Sequence, residues 1–218
     1  MEQSSTLTMV EVRKPTDSVY NTCTRHGDRR YGDHHLLYIM WRCSIGRVSR
    51  QALSNDMGIG EGSTRTAISE LMSLGLMDSA RKGVGLTESG SELMTKLHII
   101  VPRQQLDGLV DGQYNVSAIL CGGAPLMTSF ISTRDAAMVV GAEGCIPFRI
   151  IDGNVNSPFY DFMGYEYPDL EGAAKTFRMV DGDAAVVCGA SNITIATMSA
   201  FAGLLDLIRN SSVEIPWL

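Results

Sequence analysis

Between Ser49 and Leu97 the chain is punctuated so tightly that only short helices and one hairpin can form there. Ser49 is an N-cap residue type ahead of Ala52, Leu53 and Met57, which recur at helical spacing, and Gly58 stops that run. Gly58-Ile59-Gly60 then makes a three-residue turn into Glu61–Leu74. Thr64, Ile68 and Leu71 form the buried stripe of this next helix, while Gly62, Arg65, Thr66 and Ser69 point the other way and leave a free polar face. Gly75–Ser79 and Val84–Leu86 read as short strands around Ala80-Arg81-Lys82-Gly83, a basic tip with the glycine that a tight turn wants. Thr87 caps a helix through Leu97. Upstream, Leu36, Leu37, Met40 and Trp41 share one helical face, and Ser44-Ile45-Gly46 ends that helix.

The order helix, helix, turn, helix, basic hairpin, helix resembles a winged helix-turn-helix over residues 34–97. The likeness extends to residue type in Arg47-Val48-Ser49, in Gly58-Ile59-Gly60-Glu61-Gly62-Ser63, in Leu71 through Gly75-Leu76, and in Leu86-Thr87-Glu88-Ser89-Gly90. Arg65, Thr66 and Ser69 are placed to reach base edges in a major groove, Arg matching the paired acceptors of guanine. Arg81 and Lys82 would meet backbone phosphate or the minor groove. With Arg47, Ser49, Gly62 and Ser63 these make the candidate DNA-binding set. The same residues also suit a solvated helix face and ordinary surface charge. Glu61 complements the helix dipole but would repel phosphate unless it accepts from a cytosine amino group. The glycines at 58, 60 and 62 are not a nucleotide loop, because they follow a helix and lack a Lys-Ser/Thr partner.

A net charge of −6 over 218 residues argues against a nucleic-acid partner only until the chain is split. Residues 1–100 hold twelve Lys+Arg against eleven Asp+Glu, net +1, and residues 101–218 hold six against thirteen, net −7. Residues 20–50 carry Arg25, Arg29, Arg30, Arg42, Arg47 and Arg50 against Asp28 and Asp33. A local excess of this kind can meet phosphate in an acidic protein. No stretch has the length of apolar sequence that spans a bilayer, and the polar N-terminus has no signal pattern, so a cytoplasmic protein without membrane contact is expected. Cys23, Cys43, Cys121, Cys145 and Cys188 are widely spaced with no paired motif, which predicts reduced thiols. Cys23 and His26, with His34, His35 and Cys43, match neither half of a zinc pattern, so no metal is expected.

The composition shifts near Val101-Pro102-Arg103 toward Gly, Ala and Asp, and a second unit is expected from there. Tyr114–Cys121 and Ala184–Cys188 are strand candidates, Gly144–Ile151 and Val155–Ser157 a hairpin around Asp152-Gly153, and Asn192 the cap of a long helix. Ser132 and Asp135 fit a capping box, opening a helix through Val140. The segments Ala118–Ala124 and Ala185–Ser191 echo each other, each an apolar strand ending in Cys-Gly. One reading is two buried strands that end in glycine because the turn demands it. The other is a duplicated half-domain whose strand ends face one cleft, with Gly122, Gly123, Arg134, Gly189 and Ala190 as ligand-binding residues. No histidine follows His98 and the acids form no recognisable pair, so no catalytic residue and no cofactor is assigned. Cys121 and Cys188 are read as structural thiols.

The whole layout, through Asn115–Gly123, Ser132–Ala137, Gly141–Gly144 and Gly182-Asp183, resembles an archaeal family in which a winged helix is fused to a C-terminal domain of unknown function (domain of unknown function 4443). The resemblance implies a transcription regulator and supplies no ligand. Archaeal CTP-dependent riboflavin kinases share the length and the N-terminal winged helix, but this sequence lacks their Thr-Leu-Asn segment and second-half glycine signature. The expectation is therefore an α+β, non-enzymatic, DNA-binding regulator with an arm at 1–33, flexible or partly ordered, a winged helix-turn-helix at 34–100 and a ligand-binding or dimerisation unit at 105–218. Double-stranded DNA, a small-molecule effector and a second copy are its expected partners, with Asn192–Arg209 and the tail Ile215–Leu218 as dimer surfaces. A small-molecule enzyme, or a winged helix used for protein contact, is the alternative.

Overall fold

The computed structural model describes residues 29–104, 106, 108–157 and 169–218. Cys23, Arg25 and the remainder of the expected arm up to residue 28 lie outside the described residues. The fold is α+β. Three helices, α1 (Asp33–Ser44), α2 (Arg50–Met57) and α3 (Glu61–Ser73), are followed by the hairpin β1 (Met77–Ala80) and β2 (Gly83–Leu86) and by α4 (Glu88–Leu97). Then come β3 (Ile99–Ile100), β4 (Tyr114–Leu120), α5 (Phe130–Val140), β5 (Gly144–Ile151), β6 (Asn154–Asn156), α6 (Leu170–Thr176), β7 (Ala184–Ala190) and α7 (Ile193–Ile208).

Local chemistry sets the boundaries in the first half. Ser49 Oγ accepts from Ala52 N–H at 3.1 Å and Thr87 Oγ1 from Gly90 N–H at 3.1 Å, each satisfying an orphan donor of a helix start. Gly58 ends α2 in the left-handed region at φ 65°, where a side chain would be strained. Val48 and Val84 exchange backbone hydrogen bonds at 3.0 and 2.9 Å, so the chain ahead of α2 forms a third rung on the hairpin.

In the second half the strands order as β3-β4-β7-β5-β6, each pair antiparallel. Alternation divides the sheet into two buried faces. Ala118, Leu120, Ala184, Val186 and Cys188 pack toward α7, while Ile119, Phe148, Ile150, Ala185 and Val187 join Leu170, Ala173 and Phe177 of the α6 region. Asp152 and Gly153, at φ 53° and 74°, make the β5–β6 turn in the conformation expected for Asp-Gly.

The apolar helix α7 lies between the sheet and the N-terminal helices. Its Phe201 meets Tyr38 edge-on at 5.1 Å and Trp41 at 5.4 Å between ring centroids. On the sheet side Gly203 lets Val186 approach so closely that a Cβ would sit 2.7 Å from Cγ1 of that valine. On the α7 side of the sheet, buried apolar residues of both halves thus form one continuous core. This corrects the expectation that Asn192–Arg209 is a dimer surface, since residues 198–205 of the helix are all buried. The tail is corrected too: Ile215 and Trp217 are 7% and 8% exposed and belong to that core.

Two other expectations shift. The helix expected from Ser132 begins at Phe130, with Ser129 Oγ accepting from Ser132 N–H at 3.2 Å, so Ser132 and Asp135 form no capping box. The Ser132 hydroxyl instead donates to Asp206 at 2.9 Å, and Asp135 is exposed. The helix α6 and the two-residue strand β3 lie outside the elements expected from local sequence.

Truncating Phe201→Ala removes the ring that joins the halves. A loss of about 3–5 kcal/mol is expected, in a urea melt that stays a single transition by tryptophan fluorescence and by far-UV circular dichroism. Burial pushes His34 down to about 3 and His35 to about 4, with His35 and Arg209 adding like charge at His34. The fold therefore favours neutral imidazoles, and the unfolded chain takes up protons first. Stability is complete above about pH 6.5 and falls as pH drops toward 4, by up to about 1.4 kcal/mol per unit for each histidine. Urea melts from pH 7.5 to 4.5 check this, with His34→Gln flattening the slope.

Candidate nucleic-acid interface

α3 carries the expected division of faces. Thr64, Ala67, Ile68 and Leu71 are buried, and Gly62, Arg65, Thr66 and Ser69 are exposed, with Ser63 half-buried between them. Thr64 Oγ1 donates back to Gly60 O at 3.2 Å and Thr66 Oγ1 to Gly62 O at 3.1 Å, so the Thr66 hydroxyl proton is engaged with its own helix. Arg65 makes no ion pair or hydrogen bond among the described residues, and its guanidinium is available. Glu61 occupies the first turn, where it complements the helix dipole.

Arg81 and Lys82 form the exposed tip of the β1–β2 hairpin. Behind the tip the hairpin is locked. Arg47 donates to Asp78 at 2.6 Å and to Gly83 O at 3.1 Å, and its aliphatic stem lies over Gly85. Gly83, at φ 116°, approaches Val48 so closely that a Cβ would meet its carbonyl oxygen at 2.4 Å. Arg47 therefore holds the hairpin to the α1–α2 connection, and Ser49 spends its hydroxyl as a cap. Neither side chain is free for a ligand in this state.

The arginine excess before residue 50 is reduced in the same way. Arg29 pairs with Asp33 and Glu70, Arg42 with Asp56 and Arg47 with Asp78. Arg30 and Arg50 remain exposed without a partner among the described residues. Arg50, at the first turn of α2, is the cation that sequence reasoning left out of the set, although its place after the Ser49 cap was visible. Arg29 and Tyr31 both reach Glu70, Tyr31 at 2.8 Å, and tie the chain before α1 to the far end of α3.

The second candidate site does not assemble. β4 and β7 are antiparallel with Asn115 opposite Gly189 and Leu120 opposite Ala184, so the two Cys-Gly ends lie at opposite ends of the sheet. Seven residues of strand separate Gly122 from the level of Gly189, roughly 23 Å. Gly122, at φ 68°, donates its N–H to the buried Asp183 at 3.0 Å, and Gly123 lies under the Leu120 side chain. Gly189 is covered by the backbone of Asp111, and Ala190 is fully buried. Arg134 lines neither the cavity beside Cys43 and His98 nor the one between α5 and α7. Cys145 and Cys188 face each other across β5 and β7 at 3.5 Å, and burial pushes the Cys188 thiol up. Burial and Asp183 do the same for Cys121.

Residues 110–207 match a family model described as Domain of unknown function (DUF4443). That span opens just before β4 and closes in the last turn of α7, and it leaves the first four helices outside. A solved structure of a hypothetical protein from Pyrococcus horikoshii OT3 superposes over 82% of this chain and 94% of its own, with a TM-score of 0.63 at 24% identity. The likeness shows a shared fold. No curated protein matches the sequence. No helix among the described residues is long and apolar enough to cross a membrane.

Gly83→Ala tests the lock on the hairpin. The added methyl meets backbone and the φ is unfavourable, so destabilisation greater than about 1 kcal/mol is expected in a thermal melt.

Proposed function

We propose that the protein is a sequence-specific DNA-binding regulator, with α3 in the major groove and the β1–β2 hairpin on the flanking backbone. The observation that carries this reading is the exposed polar face of α3, where Arg65 stands beside Thr66 and Ser69, together with Arg50, Arg81 and Lys82; none of these four cations has a partner among the described residues. In an acidic protein whose Arg29, Arg42 and Arg47 are internally paired, exposed cations without a partner among the described residues suit phosphate. The Arg47 and Gly83 contacts hold the hairpin to the α1–α2 connection, which favours a preformed arrangement. A single unit of this size covers a short site, and two symmetric half-sites on a homodimer would supply the remaining affinity.

Selection from random-sequence DNA at low salt, followed by binding measurements on the recovered site, tests the proposal. Arg65→Ala is expected to lose about 1–3 kcal/mol on that site and to relax base preference. Lys82→Ala is expected to weaken all sequences alike and to reduce the salt slope by about one. Recovery of no enriched sequence by the intact chain would overturn the reading.

A further inference from the structure

A cavity of about 320 Å³ lies between the start of α1 and the antiparallel pair α5 and α7. Its size falls at the small end of the range for metabolite pockets. Ala136, Val139 and Val140 of α5 and Ala202 and Leu205 of α7 give it an apolar wall. At its polar end stand Asp206 and Arg209, three residues apart on α7 and hence about 5–6 Å apart between Cβ atoms.

These two charges are not paired with each other. Asp206 accepts from Ser132 Oγ at 2.9 Å and from Thr133 Oγ1 at 2.8 Å, whose single proton is shared with Ser129 O at 3.1 Å, and no cation neutralises it among the described residues. A half-buried carboxylate held in place by two hydroxyls and lacking a counter-charge is a receptor for an ammonium group. Arg209 has one long contact, 3.4 Å to Asp33, and its other N–H groups have no partner among the described residues. Asp33 keeps Arg29 at 2.9 Å, so Arg209 can turn to another carboxylate without leaving a bare acid behind. His34, which also lines the cavity, is held neutral by burial and adds no competing charge at neutral pH.

We propose that this cavity binds a free aliphatic amino acid, with its ammonium on Asp206, its carboxylate on Arg209 and its side chain against Ala136, Val140 and Leu205. A donor and an acceptor at helical i, i+3 spacing match the short separation of charges in a zwitterion, and the apolar wall lies beside them. A simple anion would meet Asp206 and a simple amine would meet Arg209, so each half-charged analogue leaves one of the two charges unanswered. The site is separate from α3 and the hairpin.

Calorimetric titration of the full chain with L-leucine, 4-methylpentanoate and 3-methylbutylamine reads the inference directly, because the two analogues lack the ammonium and the carboxylate in turn. Saturable binding of leucine with a raised melting temperature is expected, with each analogue at least tenfold weaker. Asp206→Asn and Arg209→Gln should each weaken leucine at least tenfold, and Ala136→Met, which fills the cavity and leaves both charges, should abolish binding in a chain whose circular dichroism is unchanged. Absence of binding by leucine, valine and methionine at millimolar concentration overturns the proposal. So does an analogue that binds as tightly as leucine, or leucine binding that survives Ala136→Met.

Discussion

Everything in this molecule rests on α7 being apolar nearly all round. A surface helix has one buried stripe, but residues 198–205 of α7 are buried without interruption. Such a helix has to be enclosed, and three things enclose it. The sheet covers one side through Val186, which Gly203 admits at a distance no other residue would allow. α5 covers a second. α1 closes the third with Tyr38 and Trp41 around Phe201. The N-terminal helices are therefore part of the packing of the C-terminal sheet, and the two halves share one core.

That enclosure decides which polar groups are left over. Cations near α1 are largely consumed by neighbours, Arg29 by Asp33 and Glu70 and Arg47 by Asp78, and they serve to fix the start of α1 and the hairpin. Among the cations without partners in the described residues are Arg50 on α2, Arg65 on α3 and Arg81 and Lys82 at the hairpin tip. At the other end of α7 the chain leaves its helix with Asp206 and Arg209 facing a cavity walled by α5 and α1. The proposed DNA face and the proposed amino-acid site are thus both products of what the core did not absorb.

The shared core also gives a physical route between the two. The cavity touches Asp33 and His34, the first residues of α1, and α1 packs on both α7 and the helices that carry the exposed polar face. A ligand that altered the Arg209–Asp33 contact would act on the residue that also holds Arg29, which in turn grips Glu70 on α3. This is a contiguous set of ion pairs, and coupling along it would require two arrangements of the Asp33 cluster.

The sequence by itself determined the elements whose signals are local. Ser49, Thr87 and Asn192 cap helices at the positions where their types announce them, Gly58 ends α2, and Asp152-Gly153 turns the β5–β6 hairpin. The buried and exposed faces of α3 followed from spacing alone, and with them Arg65, Thr66 and Ser69. α6 escaped notice although Leu170, Ala173, Ala174 and Phe177 recur at helical spacing after Asp169, because seven residues give too short a period to stand out. Strand direction was out of reach: the two Cys-Gly endings look equivalent in one dimension, and only the antiparallel register sends them to opposite ends of the sheet. The tertiary structure alone decided which arginines would find carboxylates, since Arg29 and Glu70 are 41 residues apart. It decided equally that Asp206 would meet hydroxyls from α5 and no cation, because pairing across elements depends on packing that no local pattern encodes.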